Sequence, residues 1–230
     1  MKKKFSNQAG VTLIEILIGI VISVLMMAAI FTSYTAVNNT YSQVIDKAKI
    51  SQSGRDIIGM LIRDVRIAGF KYFSDISKAP TNYNPILITK NSSGCDKLEL
   101  IYGDRTYVPK PPPAKYTYAT YKITYECKAS KIIDKKTGSK INAYALYKSK
   151  SKWDGTKWQG ASTSTDDLLF SDELVVDHIQ DLIFNPLNEK GQLINPVPSD
   201  LTGSNKIKVI DIAITLMTEN YTLESVSHIK

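Results

Sequence analysis

The sequence predicts an α+β fold, one long N-terminal helix packed on an antiparallel β-sheet head. Three observations predict it. An apolar run fills residues 11–31, a helical period continues to residue 68 with no proline before Pro80, and a period of two replaces it after Gly69. With 43% hydrophobic and 22% charged residues in 230, the chain has enough apolar content for a folded domain and too much for disorder. Two cysteines exclude a disulfide-dense miniprotein, and two histidines leave no Cys/His set for a zinc cage. The formal charge is +7, but Lys2, Lys3 and Lys4 supply three of those charges, so the high pI is partly an end effect.

The first element is apolar and long. Of the 21 residues from Val11 to Phe31, 17 are Ala, Val, Ile, Leu, Met or Phe, the exceptions being Thr12, Glu15, Gly19 and Ser23. As a helix this stretch reaches about 30 Å, the thickness of a bilayer's hydrocarbon core. The preceding Met1–Gly10 carries three lysines and no acid, which keeps it cytoplasmic under the positive-inside rule. A secretory signal peptide has a shorter apolar region, roughly 7–15 residues, and a small-residue cleavage site that does not follow Phe31. A plain membrane anchor fits the length but leaves Glu15 without a partner, and a buried core helix is rarely so apolar all round.

Gly10-Val11-Thr12-Leu13-Ile14-Glu15, placed between a short basic leader and an apolar helix, resembles the type IV prepilin N-terminus. The resemblance implies cleavage of the Gly10–Val11 bond by prepilin peptidase, N-methylation of Val11 and a subunit-assembly role for Glu15. Val11 departs from the phenylalanine more usual at that position. Cleavage would leave a cationic amine at Val11, and a carboxylate four residues on can meet a neighbouring subunit's amine in apolar surroundings.

Beyond Phe31 the helical stripe continues through Val37, Tyr41, Val44 and Ala48, then through Ile58, Leu61, Ile62, Val65 and Ala68. Arg55, Asp56, Arg63, Asp64 and Arg66 fall off the stripe, and Gly69 is the stop signal. One helix from about Val11 to Ala68 is on the order of 87 Å long, giving a pilin-like lollipop. A coiled-coil stalk would need more heptads. Thr32 stands where major pilins often carry a kinking proline, which favours a minor pilin or a pseudopilin. The helix end Asp64-Val65-Arg66-Ile67-Ala68-Gly69-Phe70 is similar to PilW-type minor pilins and, more loosely, to the J-type pseudopilins of type II secretion. Its charged residues would otherwise read as a solvated helix end.

The remainder alternates. Tyr121, Ile123, Tyr125 and Cys127 interleave with Lys122, Thr124, Glu126 and Lys128, and Leu98, Leu100 and Tyr102 behave likewise, as do Ile210, Ile212, Ile214 and Leu216. Ile86–Thr89, Ala143–Lys148 and Ile179–Phe184 are further strands, and Asp154-Gly155 marks a hairpin turn; the second half resembles the pilin family's late elements, which implies Glu173–Phe184 followed by a loop and then Lys206–Thr218 as the terminal strand. Loops are expected at 74–84, at 109–115 around Pro111-Pro112-Pro113, at 160–167 and at 185–205. Cys95 and Cys127 lie in the exported part, where the compartment favours a disulfide over two separate buried thiols.

No phosphate-cradling loop, nucleophile elbow or His-Glu-x-x-His motif occurs, so the chain reads as an enzyme's substrate and not an enzyme, with no cofactor, catalytic residue or metal site. His178 reads as a structural strand residue, and His228 lies in the C-terminal tail. Asp166, Asp167, Asp172 and Glu173 fit no calcium loop and read as a solvated face. Lys148, Lys150 and Lys152 near Trp153 and Trp158 offer a weaker nucleic-acid reading against that of a basic, soluble loop.

The expected organisation is a leader over 1–10, a membrane-spanning and filament-core helix over 11–31, an amphipathic continuation over 32–70 and a β-rich head over 71–230. The resemblance implies a single-pass inner-membrane precursor with a periplasmic head, which joins minor and major pilins in a pilus. The alternatives are a J-type pseudopilin, or a membrane-tethered DNA receptor or adhesin.

Overall fold

A computed structural model describes residues 10–70, 84–92, 94–108, 115–133, 138, 140–161, 168–198, 206–217 and 222–229. The loop expected at 74–84 is therefore described only at Asn84. The Pro111-Pro112-Pro113 run, the leader up to residue 9, Asp166 and Asp167 lie outside the described residues. The chain divides into two compact units, 1–48 and 49–230. Helix α1 spans Leu13–Ile67.

In the first unit the helix carries its apolar side chains outward. Between Val11 and Val44 the large apolar residues are exposed, including Tyr34, Val37 and Tyr41 of the stripe beyond residue 31. The hydroxyls of Ser23, Thr32, Ser33, Thr35 and Thr40 donate to carbonyls of their own helix. The Ser23 hydroxyl donates to Gly19 O at 2.7 Å and the Thr32 hydroxyl to Ala28 O at 2.8 Å. Such back-bonding is what an apolar solvent demands of a hydroxyl.

In the second unit, residues 49–67 of α1 lie on an eight-stranded antiparallel sheet. Its strands are β1 (Ile86–Thr89), β2 (Lys97–Val108), β3 (Lys115–Ala129), β4 (Tyr144–Trp153), β5 (Trp158–Gln159), β6 (Phe170–Leu187), β7 (Val209–Met217) and β8 (Thr222–Ile229). The order is β1-β2-β3-β4-β6-β7-β8, with β5 paired to the end of β4. The fold class is thus the expected α+β. The alternating residues face as their period requires: Leu98, Leu100, Tyr121, Ile123, Tyr125, Leu182, Phe184, Ile210, Ile212 and Ile214 are buried against Ile50, Ile57, Leu61 and Val65 of the helix. Beyond the expected terminal strand, β8 pairs with β7 in register from Met217↔Thr222 to Ile210↔Ile229. The alternation of β8 is diluted by Ser225 and Ser227, so the sequence gives it a weak strand signal.

Two chain segments finish the sheet. Gly69 stops the helix with φ +76°, and its N–H donates to Ile101 O at 2.8 Å, while Gly103 N–H donates to Phe70 O at 2.6 Å. The helix exit therefore pairs with β2 beyond the reach of β1. On the other side, β6 changes partner along its length. Tyr144 of β4 and Leu216 of β7 both align with Ile179, one residue after His178 at φ +70°. A left-handed residue beside a register shift marks a β-bulge, which bends the strand. Past the bulge, residues 94–96 take the place of β4: Leu182 N–H donates to Gly94 O and Asp96 N–H to Leu182 O, both at 2.9 Å. The buried Asp96 carboxylate accepts from Phe184 N–H at 2.9 Å and from Lys90 Nζ at 2.8 Å. Cys95 of this segment is joined to Cys127 of β3, as the compartment argument expected.

Candidate functional site at the helix start

Gly10, Val11 and Thr12 precede the helix in non-helical backbone, and Gly10 and Val11 are exposed. Thr12 is the N-cap. The Glu15 carboxylate accepts from Thr12 N–H at 2.8 Å and from the Thr12 hydroxyl at 2.9 Å, while Glu15 N–H donates back to Thr12 Oγ1 at 3.4 Å. This is the reciprocal Thr-x-x-Glu capping box, which satisfies donors a helix start would otherwise leave unpaired. A carboxylate in the first turn also opposes the positive end of the helix dipole. Glu15 is thus held by its own chain at the mouth of the apolar helix, one turn from the Gly10–Val11 bond. That bond sits outside the helical ladder, so a protease can take it in extended form without unwinding the helix.

Residues 5–31 match the family model described as Prokaryotic N-terminal methylation motif. The motif supports a type IV pilin-like or pseudopilin protein, implies processing by prepilin peptidase and assembly with other pilins, and, with the apolar helix, fits a membrane-anchored precursor. It ends at Phe31 and so includes Gly10, Val11 and Glu15 but none of the sheet unit. No curated protein and no solved structure matches the chain.

The other residues singled out by sequence divide sharply. Lys148, Lys150 and Lys152 lie on β4, not in a loop, and register with Tyr125, Ile123 and Tyr121 of β3. Lys150 Nζ stands 4.3 Å from the Tyr121 ring centroid. Trp153 and Trp158 meet edge to face at 5.2 Å, and Lys122 covers Trp158. Asp172 pairs with Lys128 at 2.7 Å, and this partner raises the Lys128 ammonium above its ordinary range. His178 belongs to the β6 bulge. For His228 only the backbone, in β8, is described. Among the described residues, no three metal-ligating side chains converge.

Sequence reasoning missed one site. Asp64, read as a solvated residue off the stripe, is only 3% exposed. Its Oδ2 accepts from the Tyr125 hydroxyl at 2.6 Å and from Lys148 Nζ at 2.7 Å. Arg63 and Arg66 do face solvent. Burial, then the Asp64 carboxylate, hold the Tyr125 phenol far above its usual range; burial and the charges of Asp104 and Asp64 push Tyr102 up to about 12. The signal for Asp64 was its spacing, three residues after Leu61 and four before Ala68, which is the buried face of a helix.

Proposed function

We propose that the chain is a structural minor pilin of a type IV pilus, PilW-like, cut between Gly10 and Val11 and methylated at Val11. It is inserted in the inner membrane as a single-pass precursor with its sheet unit in the periplasm, and it enters a filament or its initiating complex with other minor and major pilins. The leader is 1–10, the membrane and filament-core helix 11–31, its amphipathic continuation 32–70 and the β-rich head 71–230. The observation that carries this reading is the capped helix start, with an exposed, non-helical Gly10–Val11 bond and Glu15 held beside it.

Cleavage adds a cation at Val11, and a neighbouring subunit's amine is a stronger partner for Glu15 than the neutral Thr12 donors it now has. Mass spectrometry of the mature protein from its host tests the cut: an N-terminus at methylated Val11 is expected, and one retaining Met1 or Lys2 overturns the reading. Glu15→Ala should still be cleaved but fall out of the filament, and normal incorporation would remove the assembly role.

The helix end Asp64–Phe70 also suits a J-type pseudopilin of type II secretion. Loss of pili on deletion with secretion intact supports the first reading, and the reverse supports the second. The DNA-receptor reading is weakened because Lys148 and Lys150 have partners inside the protein.

A further inference from the structure

Between Val44 and Phe70 no large apolar side chain of α1 is exposed, because the helix turns them toward the sheet. Its outward face carries Gln52, Arg55, Asp56, Gly59, Arg63 and Arg66 instead. Positions 52, 56, 59, 63 and 66 recur at steps of four, three, four and three, which makes a straight seam along the helix. The one acid of the seam is occupied, since the Asp56 carboxylate accepts from Gln52 Nε2 at 2.9 Å. The cations have weak or neutral partners. Arg55 donates to Ser51 Oγ at 3.0 Å and to Gln52 Oε1 at 3.2 Å. Arg63, its side chain 71% exposed, reaches Asp64 only at 3.5 Å, and Arg66 has no ion-pair partner among the described residues. Gly59 is the second anomaly. A glycine inside a helix costs about 1 kcal/mol against alanine, yet a Cβ there would meet nothing within 4 Å. Gly54, on the buried side, does have a neighbour, Leu216, at 3.4 Å from such a Cβ. A glycine that its own chain does not require leaves room for the close approach of another.

We propose that the face from Gln52 to Arg66 docks an acidic face of another protein, Gly59 admitting its close approach and Arg63 and Arg66 pairing with its carboxylates. Both arginines lie roughly 6–10 Å along the axis from Gly59, and a guanidinium fork matches a carboxylate in shape as well as charge. A membrane surface would need large apolar side chains beside the cations, which this face lacks. A nucleic acid would need a denser cationic track with aromatic platforms. The chain's own formal charge of +7 disfavours a second copy. This role needs only the helix face, and it stands or falls separately from the cut at Gly10–Val11. The test is photo-crosslinking in the intact host, with benzoylphenylalanine in place of Gln52 in the full chain and, as a control, in place of the exposed Glu189. Illumination should join position 52, and not position 189, to one other protein, and sequencing the joined peptide should find Asp or Glu beside the link. Arg66→Glu should lower the yield by about tenfold, and reversing the partner's acid to Arg should restore it. Gly59→Gln should lower the yield as well, while raising the melting temperature of the purified chain. Crosslinks to a second copy, to lipid or to nucleic acid overturn the proposal. So does a yield that Arg66→Glu and Gly59→Gln leave unchanged, or the absence of any product at position 52.

Discussion

Asp64 carries a charge where the surrounding helix face carries methyl groups, and it is tolerated because Lys148 and Tyr125 both donate to it. Asp64→Ala should destabilise the protein by about 3–5 kcal/mol, since it leaves the Lys148 charge buried and unpaired. Chemical denaturation would show this, with Arg66→Ala, at an exposed position of the same helix, as a low-effect control. Asp154 makes the opposite case at the surface. Its carboxylate accepts from the backbone N–H groups of Lys157 and Thr156, both at 2.8 Å, and these donors hold it well below the usual carboxylate range. A depressed folded value means that this contribution to the β4–β5 turn is complete above the ordinary Asp value near 4 and disappears as pH falls through the folded one. Amide resonances of Thr156 and Lys157 should therefore move only in strong acid, below the titration of ordinary carboxylates. Movement centred near pH 4 would contradict the arrangement.

Glycines separate by what surrounds them within each element. Gly59 lies exposed in the helix with open space around it, so Gly59→Ala should stabilise by about 1 kcal/mol through helix propensity, measurable as a raised melting temperature. Gly94 adopts φ +89° with the Asp181 carboxylate against it, and its carbonyl accepts from Leu182 N–H. Gly94→Ala should loosen the 94–96 segment and lower the melting temperature. The helix, its stop at Gly69 and most strands were legible because each rests on a local period. The β6 bulge, β8 and the partner change at Ile179 were not, because register shifts and diluted alternation leave no period to read.

For the whole molecule, the exposed apolar helix of the first unit contrasts with the helix residues from Ile50 onward, which fill the core of the second. A chain starting at Lys49 should accordingly be soluble without detergent and keep the circular dichroism of the full sheet unit. A chain starting at Lys71 would lose Ile50, Ile57, Leu61 and Val65 from the core and should aggregate or unfold. Size-exclusion chromatography of the two separates the outcomes; equal behaviour would mean the helix end is dispensable. Replacing both Cys95 and Cys127 by alanine, which frees a loop of 32 residues, should reduce stability by about 3.7 kcal/mol in the loop-entropy model.

By itself the sequence determined that an apolar helix occupies most of residues 11–31, that a glycine ends the long helix and that antiparallel strands follow. These are short-range facts, set by hydrophobic spacing and by groups three or four residues apart. Only the tertiary structure decided that Asp64 meets a lysine 84 positions away, that residues 94–96 fill the sheet beside β6, and that Lys148 and Lys150 turn inward. A charge is solvated or paired according to what the chain brings to it from afar, and its neighbours in sequence do not specify that partner.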